Sequence, residues 1–121
     1  MAHDAIRFVS LFLPASESSR EEVWGPPADV YLTPGGWLVK LDLAGVRPED
    51  VEVGLDGSTL VVRGERRDRC REEGCRCYRM EIAYSRFERR IELPADLTGA
   101  SPTAEYREGM LLVRISEGKT A

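Results

Sequence analysis

The stretch Phe87-Glu88-Arg89-Arg90-Ile91-Glu92-Leu93-Pro94 decides the fold, because apolar and charged side chains alternate along it until a proline ends the run. Alternation with a period of two is typical of a β-strand with one face on a core and the other in solvent. Arg89 breaks the pattern, since it shares the parity of Phe87 and Ile91. A charge on an apolar face needs a partner, and arginine suits an interfacial ion pair. We therefore predict that Arg89 lies at a subunit contact, with a position at the sheet rim as the alternative.

The same period returns on both sides of this stretch. Runs with apolar side chains suited to strands cover residues 37–43, 51–55, 59–66, 78–84 and 110–115. Turn residues separate the runs, among them Pro34-Gly35-Gly36, Asp56-Gly57, Pro102 and Glu108-Gly109. Short strands at such regular spacing indicate an all-β antiparallel sandwich, and no segment within residues 28–116 has the pattern of a helix.

The first 26 residues differ from the rest. An apolar stretch, residues 6–13, precedes a polar run, and Trp24-Gly25-Pro26-Pro27 closes the segment. Because two consecutive prolines fit neither a helix interior nor a central strand, we place the domain boundary there. The chain thus divides into an N-terminal arm of residues 1–26, a sandwich domain of residues 27–116 and a short tail of residues 117–121. We expect a mobile arm that gains structure against a partner, with packing against its own sheet as the alternative.

The composition argues against several function classes. The 121 residues carry a formal net charge of −4, contain no Asn and no Gln, and include a single histidine, His3. A catalytic triad would depend on that histidine beside the chain terminus, and a zinc site with two histidines is impossible. No nucleotide-binding motif is present. We therefore expect no enzyme, no cofactor and no resident metal.

The chain also lacks the patterns of membrane and exported proteins. No apolar run approaches the ~20 residues that a membrane span needs. Asp4 and Arg7 disturb the start of the chain, where a signal peptide needs a positive charge followed by an unbroken apolar core. The three cysteines form an odd set, which fits a reducing compartment better than a disulfide framework. We therefore expect a cytoplasmic protein without a membrane partner.

The basic residues are unevenly distributed. Fifteen of the 17 are arginine, and ten of these fall within residues 63–90 among six acids, so that segment carries +4 and the remainder −8. A basic stripe can bind a phosphate backbone. Because acids are interleaved with the arginines, we favour an ion-paired surface or a subunit contact, and we expect no nucleic-acid partner.

Five motifs, in order, resemble the α-crystallin domain of small heat-shock proteins. They are Pro27-Ala28-Asp29-Val30-Tyr31, residues 41–51, Leu60-Val61-Val62-Arg63-Gly64-Glu65-Arg66, residues 87–94 and residues 104–111. The resemblance spans about residues 27–115. It implies an immunoglobulin-like antiparallel β-sandwich that dimerises and acts as an ATP-independent holdase for unfolded or partly folded client proteins.

The resemblance also implies a mode of subunit contact. In the bacterial and plant type of this family, a long loop carries a strand that pairs with the partner subunit's sheet. The charged stretch of residues 66–77 is long enough for that role, and Arg89 stands where the family has an interface arginine. The resemblance therefore implies a homodimer or a higher oligomer whose interface involves Arg66, Arg69, Glu72, Glu73, Tyr78 and Arg89.

A holdase needs exposed apolar surface, and two regions are candidates for it. One is the arm, with Ile6, Phe8, Val9, Leu11, Phe12 and Leu13. The other, by the resemblance, is an edge groove near Val51, Val53, Leu55, Ala104 and Tyr106. Family members commonly fill this groove with a C-terminal I-x-I motif. Residues 116–121 contain no such motif, so we expect the groove to stay open to clients and find no support for large oligomers built through tails.

Three cysteines, Cys70, Cys75 and Cys77, lie in the charged stretch. Their spacing is not that of a zinc ribbon, which uses paired C-x2-C units. Cys75 and Cys77 would share one face of a strand, so redox tuning of the dimer is one hypothesis, and three surface thiols without a role is the other. A redox- or metal-responsive module and a CS-domain-like co-chaperone adaptor are the alternatives to a holdase.

Overall fold

The structure, a computed structural model, describes residues 6–8, 24–67, 70 and 72–117. Within these residues the chain forms eight strands and one 3-10 turn, Pro48–Asp50. The strands are β1 Arg7–Phe8, β2 Ala28–Thr33, β3 Gly36–Asp42, β4 Val51–Asp56, β5 Thr59–Glu65, β6 Arg86–Glu92, β7 Ser101–Arg107 and β8 Met110–Ser116. The all-β architecture expected from the period-two runs is confirmed.

Two four-stranded sheets make up the sandwich. One has the strand order β1-β4-β5-β6 and the other β2-β3-β8-β7. Neighbouring strands pair antiparallel, except that β1 runs parallel to β4. In the described part of the chain, no helix is long and apolar enough to cross a membrane.

Alternate side chains of both sheets fill the space between them. Val39 and Leu111 on one sheet and Val53 on the other have no measurable exposure. Phe87 and Ile91 of the deciding stretch are buried as well, as its period predicts. Burying one such side chain contributes roughly 1.5–3 kcal/mol, so this core is the main source of the fold's stability.

The hairpin between β7 and β8 requires an unusual backbone conformation. Glu108 has a φ of 53° and Gly109 a φ of 80°, so both central residues of the turn lie in the left-handed region. Two-residue turns of this hand favour Asn-Gly or Asp-Gly, and a glutamate tolerates the conformation less well. The turn predicted at Glu108-Gly109 is therefore present, with a residue less suited to it than asparagine.

The strand predicted over residues 78–84 is absent, and this prediction was wrong for the isolated chain. Between β5 and β6 the described residues contain no strand, and Tyr78, Met80 and Ile82 are 99%, 53% and 55% exposed. A period of two shows that a segment suits a sheet, but a strand forms only when an edge is available to pair with it. Within the described chain, this segment pairs with no sheet edge.

Pro102 is a smaller correction, since it lies inside β7 rather than in a turn. It pairs with Ile115 on β8, and β7 is the outer strand of its sheet. A proline cannot donate a ladder hydrogen bond, but at an outer strand its nitrogen can face away from the neighbour. This position therefore accepts the residue without loss of pairing.

Candidate functional site

The outer edge of β4 is covered by the chain's own arm. Arg7 pairs with Glu52 and Phe8 with Val53, in parallel register. Ile6, the preceding residue, is only 7% exposed and belongs to the core cluster together with Val51 and Val53. The segment of residues 6–8, which we call the arm strand, thus inserts one apolar side chain at the margin of the core.

A row of ion pairs joins the arm strand to the outer face of this sheet. The Arg7 guanidinium lies 2.8 Å from Oε2 of Glu52, and the Arg63 guanidinium lies 3.1 Å from Oε1 of the same carboxylate. Glu52 pairs with Arg7 on one side and with Arg63 on the other in the strand register. The carboxylate therefore sits between two cations, one from the arm and one from β5.

The arm strand is held only weakly. Burying one isoleucine contributes about 1.5–3 kcal/mol, and an exposed ion pair contributes about 0.2–1 kcal/mol. Fixing the backbone of three residues costs about 1–2 kcal/mol for each. Because gain and cost are of similar size, the arm strand is able to leave the edge of β4 without loss of the sandwich.

Three of the five residues assigned to the edge groove lie on β4 and two lie on β7 of the other sheet, and the edge of β4 is not open. Val51 and Val53 are fully buried, while Leu55, Ala104 and Tyr106 are half-buried and pack against the core cluster that contains Ile6. The expectation of an open groove is thus not met, because the arm strand takes the edge that a C-terminal motif would otherwise fill. This arrangement is the predicted alternative in which the arm packs against its own sheet.

Tyr106 has a structural contact within the domain. Its hydroxyl donates a hydrogen bond to the carbonyl oxygen of Leu43, which links β7 to the segment after β3. Burial raises the pKa of Tyr106 to about 12. The hydroxyl therefore stays protonated, and stays a donor, throughout the physiological range.

Trp24 covers the opposite edge of the same sheet. Its amide nitrogen donates to the carbonyl of Arg86 at 3.2 Å, and its carbonyl accepts from the amide of Glu88 at 3.1 Å. Its ring lies 5.6 Å from the ring of Phe87. Sequence reasoning missed this contact, although an isolated tryptophan before Gly25-Pro26-Pro27 was an available signal. The two ends of the described arm thus cover both edges of one sheet.

Two arginines predicted at the subunit interface hold these elements together within the chain. The Arg66 guanidinium stacks over the Trp24 ring at 4.4 Å and donates to the carbonyls of Ala44 and Ala83, each at 2.9 Å. Arg89 is half-buried and donates to the carbonyl of Pro26 at 3.1 Å. Both side chains therefore bind backbone oxygens near the arm.

The second sheet has two outer strands, β2 and β7, and β2 forms the edge that carries exposed apolar side chains. Among the described residues, β2 has a single neighbour, β3. Large apolar side chains are exposed on this strand: Val30 at 42%, Tyr31 at 42% and Leu32 at 73%. The residues that follow β5 and precede β6, which we call the long loop, also carry exposed apolar side chains: Tyr78, Met80 and Ile82. Among the described residues, the edge of β2 is thus uncovered and the segment of residues 78–82 is unpaired.

The remaining residues predicted at the interface are on the long loop. Glu72 and Glu73 are exposed. Arg69 lies outside the described residues. In the arm, Phe8 is 48% exposed, whereas Val9, Leu11, Phe12 and Leu13 also lie outside the described residues.

The loop cysteines differ from the expected set of three thiols. Cys70 and Cys75 form a disulfide, and Cys77 is free and exposed. All three line a cavity of about 340 Å³, together with Met80 and Tyr84. No group of three or more metal-ligating side chains occurs among the residues that the structure describes. The arrangement places a bond that reduction can open beside an accessible thiol.

Comparison with known proteins shows which family has this architecture. A family model described as the Hsp20/alpha crystallin family matches residues 29–121. Small heat shock protein C2 of Rickettsia felis is 27% identical over 106 residues, covering 85% of this chain and 69% of the relative. The 19.0 kDa class II heat shock protein of Oryza sativa subsp. japonica is 38% identical over 91 residues, covering 69% of this chain and 51% of the relative. The chain spans about half to seven tenths of the length of these two relatives.

Solved structures have the same fold. The hspA protein from Xanthomonas axonopodis is 33% identical and aligns with a TM-score of 0.66 over 83% of this chain and 100% of that chain. A small heat-shock protein from Xylella fastidiosa is 29% identical, with a TM-score of 0.65 over 83% of this chain and 92% of that chain. The latter structure is described as revealing a distinct high order structure.

Proposed function

This chain belongs to the Hsp20/alpha crystallin family, and we propose that it is an ATP-independent holdase that binds partly unfolded client proteins and limits their aggregation under stress. The observation that carries this proposal is the family match, which extends from the start of β2 to beyond β8. Relatives named as small heat shock proteins support it. The proposal includes no catalytic step and no cofactor.

The arm supplies the client-binding surface in this proposal. Its candidate side chains are Ile6, Phe8, Val9, Leu11, Phe12 and Leu13. Phe8 supports the assignment, because an aromatic side chain that is 48% exposed beside a sheet edge is available to another chain. Burial of several such side chains, at roughly 1.5–3 kcal/mol each before ordering costs, is enough for weak capture that tolerates many sequences.

A second copy of the chain is the other proposed partner. The long loop of one copy adds residues 78–82 as a strand to the β2 edge of the other, which covers apolar side chains on both. Two observations support this pairing: the exposure of the three alternate apolar side chains Tyr78, Met80 and Ile82, and the exposed side chains of β2. An uncovered apolar edge favours addition of a strand from another chain. The resulting assembly is a homodimer, on which a higher oligomer can build.

Charged residues have two roles at this contact. Glu72 and Glu73 are exposed on the long loop and are available for ion pairs with the second copy. Arg66 and Arg89 act within their own chain, since their guanidinium groups already bind backbone oxygens of the loop and the arm. These hydrogen bonds hold the two ends of the long loop in place, and the loop extends from them to the partner.

The cytoplasm is the proposed location, and the loop cysteines acquire a role there. A disulfide in an exposed loop is accessible to the thiols of a reducing compartment, where such bonds open readily. The Cys70–Cys75 bond lies only a few residues from the segment that contacts the second copy. In this proposal the redox state of the loop changes the strength of the subunit contact, but the contact forms in either state.

Light scattering by a thermally unfolding client enzyme tests the holdase function. Purified full-length chain, present at a molar ratio of about one subunit per client, is expected to reduce the scattering without nucleotide and to the same degree with ATP. A folded protein of similar size and net charge serves as the control for crowding. Scattering that stays at the level of this control, even with the chain in large excess, would overturn the proposal.

A further inference from the structure

We propose that the three cysteines of the long loop, once reduced, form with the thioether of Met80 a binding site for one soft monovalent cation, Cu(I). The observation that carries this inference is that Cys70, Cys75, Cys77 and Met80 all line one cavity of about 340 Å³. The site belongs to the long loop rather than to the sandwich. It goes beyond the holdase function and does not depend on it.

A turn in the long loop brings the sulfur-bearing side chains together. The amide of Cys75 donates to the carbonyl of Glu72 at 3.2 Å, and Gly74 has a φ of 79°, which reverses the chain there. The reversal places the sulfurs of Cys70 and Cys75 next to each other, where they are bonded. Cys77 follows two residues later and is free and exposed. One part of the loop thus supplies the cysteines of the site without any residue from a sheet.

The redox state of the loop decides whether these sulfurs are ligands. In the oxidised chain, the described residues contain no group of three or more metal-ligating side chains. The thiolate is the form of cysteine that binds a metal, and a sulfur held in a disulfide is not a thiolate. Low-molecular-weight thiols of a reducing compartment supply two electrons and two protons to the Cys70–Cys75 bond and are themselves joined as a disulfide. The three thiols of the reduced loop then each release a proton when the ion binds.

The donor set favours Cu(I) over Zn(II). Thiolates and thioethers are soft ligands, which suit Cu(I), whereas structural zinc takes four ligands from cysteine, histidine and carboxylate side chains. The loop has three cysteines and no histidine, since the single histidine of the chain is His3. Glu81 also lines the cavity, but its carboxylate already lies 3.3 Å from the Arg79 guanidinium. The absence of zinc-ribbon spacing, from which the sequence predicts no resident metal, therefore does not count against a copper ion.

The charge around the cavity suits a monovalent ion. Three thiolates that bind one Cu(I) leave an excess of two negative charges. Arg76 and Arg79 line the same cavity, so two guanidinium groups lie near this excess. Opposite charges at short range attract each other, and the arginines therefore stabilise the loaded loop.

Competition for the ion tests the site in the full-length chain. The chain is reduced with a phosphine, kept free of oxygen and titrated with Cu(I) in the presence of bicinchoninate, a chelator whose copper complex absorbs visible light. We expect each reduced chain to withhold one ion from the chelator and the oxidised chain to withhold less. A reduced chain that takes no copper from bicinchoninate, or an oxidised chain that takes as much, would overturn the inference.

Single substitutions identify the ligands. Loss of an outer-shell partner weakens metal binding by about tenfold to a hundredfold, so loss of a thiolate should weaken Cu(I) binding at least as much. The thiolate variants are Cys70→Ser, Cys75→Ser and Cys77→Ser. Met80→Leu should weaken binding several-fold, whereas its matched control Met110→Leu, in β8, should leave it unchanged. The four loop residues are exposed, so their variants keep the sandwich, which circular dichroism checks.

Cys77→Ser is the decisive variant, because it keeps both partners of the disulfide. Affinity for Cu(I) equal to that of the wild type in this variant contradicts the inference, and an unchanged affinity in Met80→Leu removes the thioether from the site.

X-ray absorption at the copper edge and competition with Zn(II) test the identity of the ion. The loaded chain should show only sulfur among the nearest neighbours of copper, and an equimolar amount of Zn(II) should not displace it. Nitrogen or oxygen neighbours, or displacement by Zn(II), would contradict the assignment to Cu(I). Because none of these measurements uses a client protein, their failure would leave the light-scattering test of the holdase function unaffected.

Discussion

The edges of β4 and β2 are in opposite conditions. The edge of β4 is covered by the arm strand, which adds an isoleucine to the core and an arginine beside Glu52. The edge of β2 is uncovered in the described chain and carries exposed Val30, Tyr31 and Leu32. Both strands belong to four-stranded sheets, and the backbone of each offers the same kinds of donor and acceptor at its edge. Backbone chemistry alone therefore does not account for the difference in how the two edges are covered.

What differs is the segment available to each edge. For β4 this segment is the arm strand. Its Ile6 packs at the core, and its Arg7 carries a charge opposite to that of Glu52 on β4. The segment proposed to pair with β2 lies in the long loop and is unpaired among the residues that the structure describes. In the described chain one edge is covered in cis and the other is not, and we propose that the uncovered edge of β2 is the one that pairs with a second copy.

The largest expected effect comes from breaking the contact proposed for β2. The double substitution Met80→Asp/Ile82→Asp places two charges on the face that would be buried, and each lost apolar contact at an interface centre costs about 2 kcal/mol or more. That is roughly thirtyfold in the dissociation constant for each residue. Multi-angle light scattering should show a monomer at concentrations where the wild type is a dimer.

The matched control for this substitution is Arg79→Asp. Arg79 lies on the opposite parity of the same segment and is 74% exposed in its side chain, so its change should leave the dimer intact. A double variant that remains dimeric, or a control that dissociates equally, would show that residues 78–82 do not form the contact.

A smaller effect is expected at the arm strand. Replacing a core isoleucine by a small residue typically costs about 2–5 kcal/mol. We expect Ile6→Ser to lower the free energy of unfolding by only about 1–2 kcal/mol, because the arm strand can leave the sheet instead of retaining a cavity. Urea denaturation measures the change, with Phe8→Ser as a control of smaller effect. A loss as large as that of a central residue such as Val53→Ser would mean that the arm strand is a fixed part of the core.

Alkaline pH provides a third test, at Tyr106. Its pKa in the folded chain is about 12, above the ordinary value near 10 expected in the unfolded chain. Its protonated hydroxyl therefore stabilises the fold fully below pH 10, and this contribution is lost between about pH 10 and 12. Tyr106→Phe should lose about 1 kcal/mol at neutral pH, the value of one hydrogen bond, and should show a flatter decline in stability above pH 10. Thermal melts across this range check the difference, and identical pH profiles would contradict it.

The smallest effect is expected from the loop cysteines. If the Cys70–Cys75 bond only adjusts the long loop, Cys70→Ser/Cys75→Ser should change the dimer dissociation constant by less than about fivefold, or about 1 kcal/mol. The same variant should no longer respond to oxidant or reductant, whereas Cys77→Ser should keep the response. Wild-type and double-variant proteins that respond alike to oxidant would exclude a role for this disulfide.

Much of the sandwich could be predicted from period-two alternation, because strands such as β4, β6 and β8 show one apolar face to a common core. Phe87 and Ile91 of β6 are buried for that reason. The Glu108-Gly109 pair correctly predicted the turn of the β7–β8 hairpin. The failure at residues 78–84 has a physical cause. Periodicity reports what a strand would bury, but it contains no information about whether an edge is within reach.

The candidate site was less accessible to sequence reasoning. The arm strand pairs two residues, which is too short for a period, and its partner β4 lies far away in the sequence. The contacts of Trp24 and Arg66 depend on three separate segments meeting in space. Cysteine spacing does not specify which two of three thiols join, so the Cys70–Cys75 bond came from the structure alone.

The contrast between the two edges is tested most directly by hydrogen–deuterium exchange of the full-length chain over a range of concentrations. If β2 and residues 78–82 pair between copies, the protection of their amides increases as dimers form, whereas the protection at the edge of β4 is the same in dilute and concentrated samples. Protection at β4 that rises with concentration, or a loop and β2 edge that exchange quickly in both samples, would contradict the account.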